Sequence, residues 1–113
     1  MIIRIDLNFW RRRAHCSGLV DGGLALTALD TAMGLAVLST LGKGKGFAST
    51  DTAVRFIRGL QGGQTHELEV IGTVVSSGRT VSTAQGEIRT TSGKLVATGT
   101  SACALFATST EAK

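Results

Sequence analysis

Asp30 is the residue with the sharpest chemical potential in this chain. It stands alone in the apolar run Leu24–Leu41, among Leu26, Leu29, Met33 and Leu38. Buried there without a partner, a carboxylate costs several kcal/mol and its pKa rises. Perturbed carboxylates of that kind cluster at functional sites. The plainer alternative is an Asp30 that faces solvent or hydrogen-bonds to a strand. A second feature lies upstream, at Asp21-Gly22-Gly23. Asp is a favoured N-cap, and two glycines at a helix start let a ligand approach backbone N–H groups at the positive end of the dipole. Such donors suit an oxyanion or a polarised carbonyl. The alternative is a capped helix whose glycines allow close packing. Asp30 lies nine residues beyond Asp21, about two and a half helical turns. The two cannot act on one atom within one chain, but a symmetric dimer could bring one helix start to the middle of the other helix.

Other chemistry is thin. There is no G-x-S-x-G elbow. Lys43-Gly-Lys45-Gly lacks the spacing of a phosphate-binding Walker loop. His15 and His66 have no ligand-spaced partner, so no metal is expected. Arg11-Arg12-Arg13 beside Phe9-Trp10 fits phosphate and stacking contacts to nucleic acid, or simply a solvated loop. Arg79, after Gly78, could meet a phosphate or be a hairpin-end charge.

The elements that must position these residues read as follows. Residues 1–7 alternate as a strand, with Ile3, Ile5 and Leu7 against Arg4 and Asp6. A helix occupies 22–41, stopped by Gly42 and apolar nearly all round, which implies burial on most sides. Lys43 to Gly46 reads as a flexible basic loop. From 47 to 107 the period becomes 2, with turns at Gly62-Gly63, Ser77-Gly78 and Thr91 to Lys94. Four strands joined in this way predict an antiparallel meander. The order β-α-β-β-β-β suggests one sheet curled around one helix. Such a sheet keeps an open face and edges, and pairing with a second copy is the simplest remedy.

Composition narrows the class. The chain has 113 residues, 42% hydrophobic and 18% charged, with a mean hydropathy of +0.22. That is one domain's length and excludes a disordered chain. Fifteen glycines without a triplet repeat or any proline exclude collagen. Cys16 and Cys103 are too few and too far apart for a disulfide scaffold or zinc knuckle, and read as free thiols in a reducing, cytoplasmic compartment. The first residues carry charges and no long apolar run, so they do not read as a signal peptide. Asp30 also argues against a membrane span, since an aspartate at mid-bilayer costs about 2.5–3.5 kcal/mol. The net charge of +4 favours an anionic partner.

The pattern Gly18-x-x-Asp21-Gly22-Gly23, six residues, then Asp30-Thr31-Ala32-Met33-Gly34 resembles the motif of hotdog-fold acyl-CoA thioesterases of the phenylacetate-degradation (PaaI-like) type. The similarity extends over about residues 15–107. It runs through Ser49-Thr50-Asp51 and Val54 to Arg58, the Gly78-Arg79 hairpin, and Ser92-Gly93-Lys94 with the strand after it. The resemblance implies an α+β hotdog fold, an antiparallel sheet wrapped around one long central helix, with active sites at a dimer interface. It implies a homo-oligomer, a dimer or a dimer-of-dimers tetramer. Asp30 would be the general base or nucleophile, and the Gly22 N–H, beside Gly23, would polarise the thioester carbonyl across that interface. Ser49 would help orient water. Gly78, Arg79 and Thr80 would contact the CoA nucleotide of an acyl-CoA substrate, with no separate cofactor.

Two departures fall in the motif. Asp21 stands where the family has His, and His15 where it has Asn. The pair could exchange roles, or the chain could bind acyl-CoA or another acyl ligand without hydrolysing it. Gly59 also replaces a strand-ending Pro. Because the chain opens on a strand, a helical cover for the acyl pocket found in many relatives is not expected, which leaves acyl-length preference open. Nucleic acid and membrane are not the expected partners.

Overall fold

The computed structural model describes residues 2–6, 22–58 and 67–108. Its elements are β1 (Ile2–Asp6), α1 (Gly22–Leu38), β2 (Lys45–Phe56), β3 (Glu67–Ser77), β4 (Val81–Thr90) and β5 (Leu95–Ala107). The five strands form one antiparallel sheet in the order β1-β3-β4-β5-β2, and α1 packs across one of its faces. This is the hotdog architecture.

Helix α1 is built from Leu, Ala and Met, good helix formers. It ends three residues before the expected Leu41 because Ser39 and Thr40 turn their hydroxyls onto the last carbonyls. Ser39 Oγ donates to Ala36 O at 2.6 Å and Thr40 Oγ1 to Val37 O at 2.7 Å. The backbone tightens at the same point, with Thr40 N–H donating to Val37 O at 3.0 Å and Leu41 N–H to Leu38 O at 3.1 Å. These i→i−3 bonds close the helix in a 3₁₀ turn. Gly44, at φ 83°, then sends the chain into β2. Lys45 and Gly46 therefore belong to that strand and not to the loop expected at 43–46.

The helix is also less covered than its composition suggests. Ala28, Leu29, Ala32, Met33, Ala36 and Val37 are buried, whereas Leu26, Leu35 and Leu38 are exposed, along with Asp30. In a single protomer, one stripe of α1 is open.

Strand β2 does not follow the meander. Only β3, β4 and β5 pair in sequence order; β2 pairs with β5, from Lys45↔Ala107 to Phe56↔Ala97. Ten residues separate Phe56 from Glu67, longer than the 2–5 of a tight hairpin. The chain is thus free to place β2 on the far side of β5. Strand β2 forms one edge of the sheet and β1, paired with β3, forms the other.

Three glycines fix how closely the helix lies on this sheet. Gly72, Gly86 and Gly99 are cross-strand partners on β3, β4 and β5, forming a row without side chains beneath Leu29, Ala32 and Met33. A Cβ on Gly72 would sit 2.4 Å from the Ala32 carbonyl oxygen. One on Gly86 would meet Leu29 Cδ2 and Met33 Cγ at 3.0 Å and the Ile71 carbonyl oxygen at 3.2 Å, and one on Gly99 would meet the Met33 tip and the Ala53 carbonyl oxygen at 3.3 Å. The core grows outward from this row through Leu68, Val70, Ala84, Ile88 and Ala97. The overlap at Gly72 is deep and wholly with backbone, whereas the contacts at Gly86 need neighbours to give by only a few tenths of an ångström. Gly72→Ala is therefore expected to cost about 3 kcal/mol, the upper range for overpacking, and Gly86→Ala about 1 kcal/mol or less. Urea unfolding of the two variants checks the order.

Candidate active site

Asp30 and Ser49 are brought together by α1 and β2. Ser49 Oγ donates to Asp30 Oδ1 at 3.3 Å. The contact follows from matched spacing. One turn along α1 from Asp30, Gly34 is covered by the ring of Phe47; a Cβ there would lie 3.1 Å from it. Four helical residues rise about 6.0 Å and two strand residues about 6.6 Å. With Phe47 seated on Gly34, Ser49 therefore falls opposite Asp30.

A β-bulge shapes the same stretch of β2. Ser49 pairs with Cys103 and Asp51 with Ala102, leaving Thr50 as the extra residue. The inserted residue shifts the alternation by one, so Ser49 and Thr52 both face the helix although three positions apart. Thr50 Oγ1 donates to Ala102 O at 3.2 Å, securing the bulge.

Asp30 is exposed, so a single protomer imposes no burial cost on its charge. Of the alternatives posed by the sequence, the structure takes the second: a carboxylate open to solvent and hydrogen-bonded to a strand. Gly22 opens α1 as its first residue, with Gly23 next. Gly22 and Asp30 are separated by eight residues of helix, about 12 Å along the axis, so within one chain they do not converge on one atom. Gly78, Arg79 and Thr80 form the exposed turn between β3 and β4. Gly78 N–H donates to Val81 O at 2.9 Å, and Thr80 O accepts from Leu105 N–H at 2.9 Å. Since Ser82 pairs with Cys103, and Cys103 with Ser49, this turn lies two strands over from Ser49 and just beyond its row. At about 4.8 Å per strand the separation is roughly 10 Å or a little more. His15 and Asp21 lie outside the described residues, as do His66 and Arg11 to Arg13.

Several polar groups near the pair were not singled out from sequence. Cys103 is a free, fully buried thiol, and Ser101 and Ser82 are buried beside it. No sequence signal marks them, because their common face depends on the β2–β5 pairing and on the bulge. Among the described residues there is no cluster of three metal-ligating side chains, and no helix is long and apolar enough to cross a membrane.

A hollow among the described residues lies elsewhere. A trough of about 510 Å³ runs over the sheet face opposite α1, past Arg55, Thr73, Gln85, Glu87 and Thr98. At its margin Arg89 forks onto Glu87, Nε to Oε1 at 2.8 Å and Nη2 to Oε2 at 3.2 Å. The hydrogen bonds and charge of Glu87 hold the guanidinium above its ordinary pKa. The sheet separates this trough from the Asp30–Ser49 pair, which lies on the open stripe of the helix.

The family model of the thioesterase superfamily matches residues 17–97. The chain belongs to the thioesterase superfamily. Among solved structures, a thioesterase from Haemophilus influenzae superposes with a TM-score of 0.81 at 21% identity, over 94% of this chain and 71% of that one. A Bacillus halodurans protein crystallised with CoA gives 0.71 at 27% identity, over 78% and 60%. A Streptococcus mutans protein bound to acetyl-CoA gives 0.80 at 18% identity, over 95% and 82%. Among curated proteins, none matches.

Within this thioesterase-superfamily fold one group is poorly accommodated. Ser82 Oγ is fully buried and has no hydrogen-bond partner among the described residues. An unsatisfied buried hydroxyl costs about 1–3 kcal/mol. Removing it offsets the small void left behind, so Ser82→Ala is expected to raise stability by about 1 kcal/mol, measured as a higher denaturation midpoint.

Proposed function

We propose that this protein hydrolyses acyl-CoA thioesters, as a thioesterase of the PaaI-like type. The Asp30–Ser49 hydrogen bond on the open stripe of α1 carries the reading. Ser49 occupies Oδ1, and Oδ2 has no partner among the described residues. Asp30 then acts as general base on a water, or attacks the carbonyl carbon itself. In the first case the water oxygen bonds to the acyl carbon, its proton passes to Oδ2, and the C–S bond breaks as the proton is delivered to the leaving thiolate. The developing oxyanion needs N–H donors, and Gly22 of a second subunit supplies one.

This reading calls for a second copy, and the exposed surface supports one. Strand β2 is a twelve-residue edge, largely exposed, and edges of that kind invite pairing. Two β2 edges joined antiparallel would continue the sheet and turn the open stripes of α1, with Leu26, Leu35 and Leu38, toward each other. In that arrangement each helix start approaches the middle of the other helix. The CoA and acetyl-CoA bound by two of the similar structures support a CoA thioester as substrate. Gly78, Arg79 and Thr80 are exposed and suited to the nucleotide phosphates, in keeping with the net charge of +4.

Asp30→Asn should lower acyl-CoA turnover by about 10²–10⁴-fold, the usual worth of a positioned base, while acyl-CoA binding by calorimetry persists. Unchanged turnover would remove Asp30 from the mechanism, and binding without turnover in the unaltered chain would indicate an acyl-CoA-binding protein. Sharing of the site is tested separately. Proline is tolerated at the first helical position and lacks the N–H. Gly22→Pro should therefore be inactive yet folded. Unfolding and refolding it together with Asp30→Asn should restore about a quarter of full activity, because mixed C₂ dimers carry one intact site. No recovery would exclude the Gly22 N–H as a donor shared across subunits.

A further inference from the structure

The Ser49 hydroxyl is held from behind. Its oxygen lies 4.0 Å from Cys103 Sγ. Cys103 Sγ lies 3.8 Å from Ser101 Oγ, and Ser101 Oγ lies 3.4 Å from Thr52 Oγ1. Cys103 is 0% exposed and Ser101 5%, so the Ser101–Cys103 contact is shielded from solvent, while Ser49 stands exposed at the outer end of the run.

The hydrogens fix the direction. A hydroxyl or a thiol has one hydrogen to donate, whereas a carboxylate only accepts. Ser49 gives its hydrogen to Asp30, so it can only accept from Cys103, whose S–H must then point at Ser49. Cys103 in turn accepts from Ser101, and Ser101 accepts from Thr52. Ser82, the partner of Cys103 on the β4 side, makes no hydrogen bond among the described residues and does not compete.

We propose that Thr52, Ser101 and Cys103 form a one-directional hydrogen-bond relay that holds the Ser49 hydroxyl on Asp30, with Cys103 as a positioning residue for the site. Each link polarises the next in the low-dielectric interior, so individually weak sulfur bonds gain from the chain. The role requires Cys103 as a thiol, because a thiolate has no hydrogen to give. The relay stands on the geometry; its effect on turnover rests on the thioesterase reading.

The test uses the full chain with Cys16→Ala, which leaves Cys103 as its one thiol. The infrared S–H stretching band should move to higher frequency in Ser49→Ala, as the S–H loses its acceptor. An unmoved band overturns the relay, and this readout needs no catalysis. In steady-state kinetics on an acyl-CoA, Cys103→Ala should lower kcat about fivefold, the loss expected for one neutral hydrogen bond, with KM within about twofold. Cys103→Ser, which keeps one donor and one acceptor, should retain more kcat than Cys103→Ala. In the Ser49→Ala background Cys103→Ala should cause no further loss. A full additional loss there, or the reverse order of the two Cys103 variants, overturns the proposal. If the unaltered chain hydrolyses no acyl-CoA, the functional reading falls and the S–H band alone decides the relay.

Discussion

The position of α1 depends on the absence of three side chains. Gly72, Gly86 and Gly99 form a row across β3, β4 and β5, and the backbone of Ala32 descends onto it. Any side chain at Gly72 would lift the helix. Lifting α1 would draw Asp30 away from Ser49, since the two are joined by one hydrogen bond of 3.3 Å. Packing and chemistry are therefore set by the same contact: the closeness that buries Leu29 and Met33 also brings the exposed edge of the helix within reach of β2.

The second constraint is the bulge at Thr50. Regular alternation would put Ser49 and Thr52 on opposite faces of β2. With one residue inserted, both face the helix and both meet β5 side chains that are themselves two positions apart, Cys103 and Ser101. A strand is usually weakened by an extra residue. Here the extra residue is tied down through Thr50 Oγ1 to Ala102 O, and the gain is a run of polar groups aligned toward Asp30.

Much of this was legible in the residues. The single carboxylate in an apolar helix, the glycines at its start, and strands β3, β4 and β5 with their turns all carry local signals. The motif spacing around Asp30 pointed to the superfamily that the family model matches. The rest required information that is not local. The pairing of β2 with β5 follows from a long connection, which leaves the partner undetermined. The end of α1 at Leu38 depends on hydroxyls of Ser39 and Thr40 competing for carbonyls, against an apolar pattern that runs on to Leu41. The open stripe of α1 could not be read at all, since Leu26, Leu35 and Leu38 look like core residues until the sheet shows which face it covers. Cys103, Ser101 and Thr52 have no motif; they share a face because of one inserted residue elsewhere.

The open stripe and the buried relay are two sides of one requirement. A run of groups with one hydrogen each has no preferred direction, since every member could reverse together. A carboxylate at one end removes that freedom, because it accepts and never donates while ionised. For Asp30 to serve as that end and still do the chemistry proposed for it, one oxygen must be held by Ser49 and the other must stay accessible. A fully buried position would supply the first and forbid the second, at several kcal/mol for the charge. A fully exposed one would lose the relay to water. The edge of a helix lying low on a glycine row, beside an edge strand that a second copy can cover, meets both conditions.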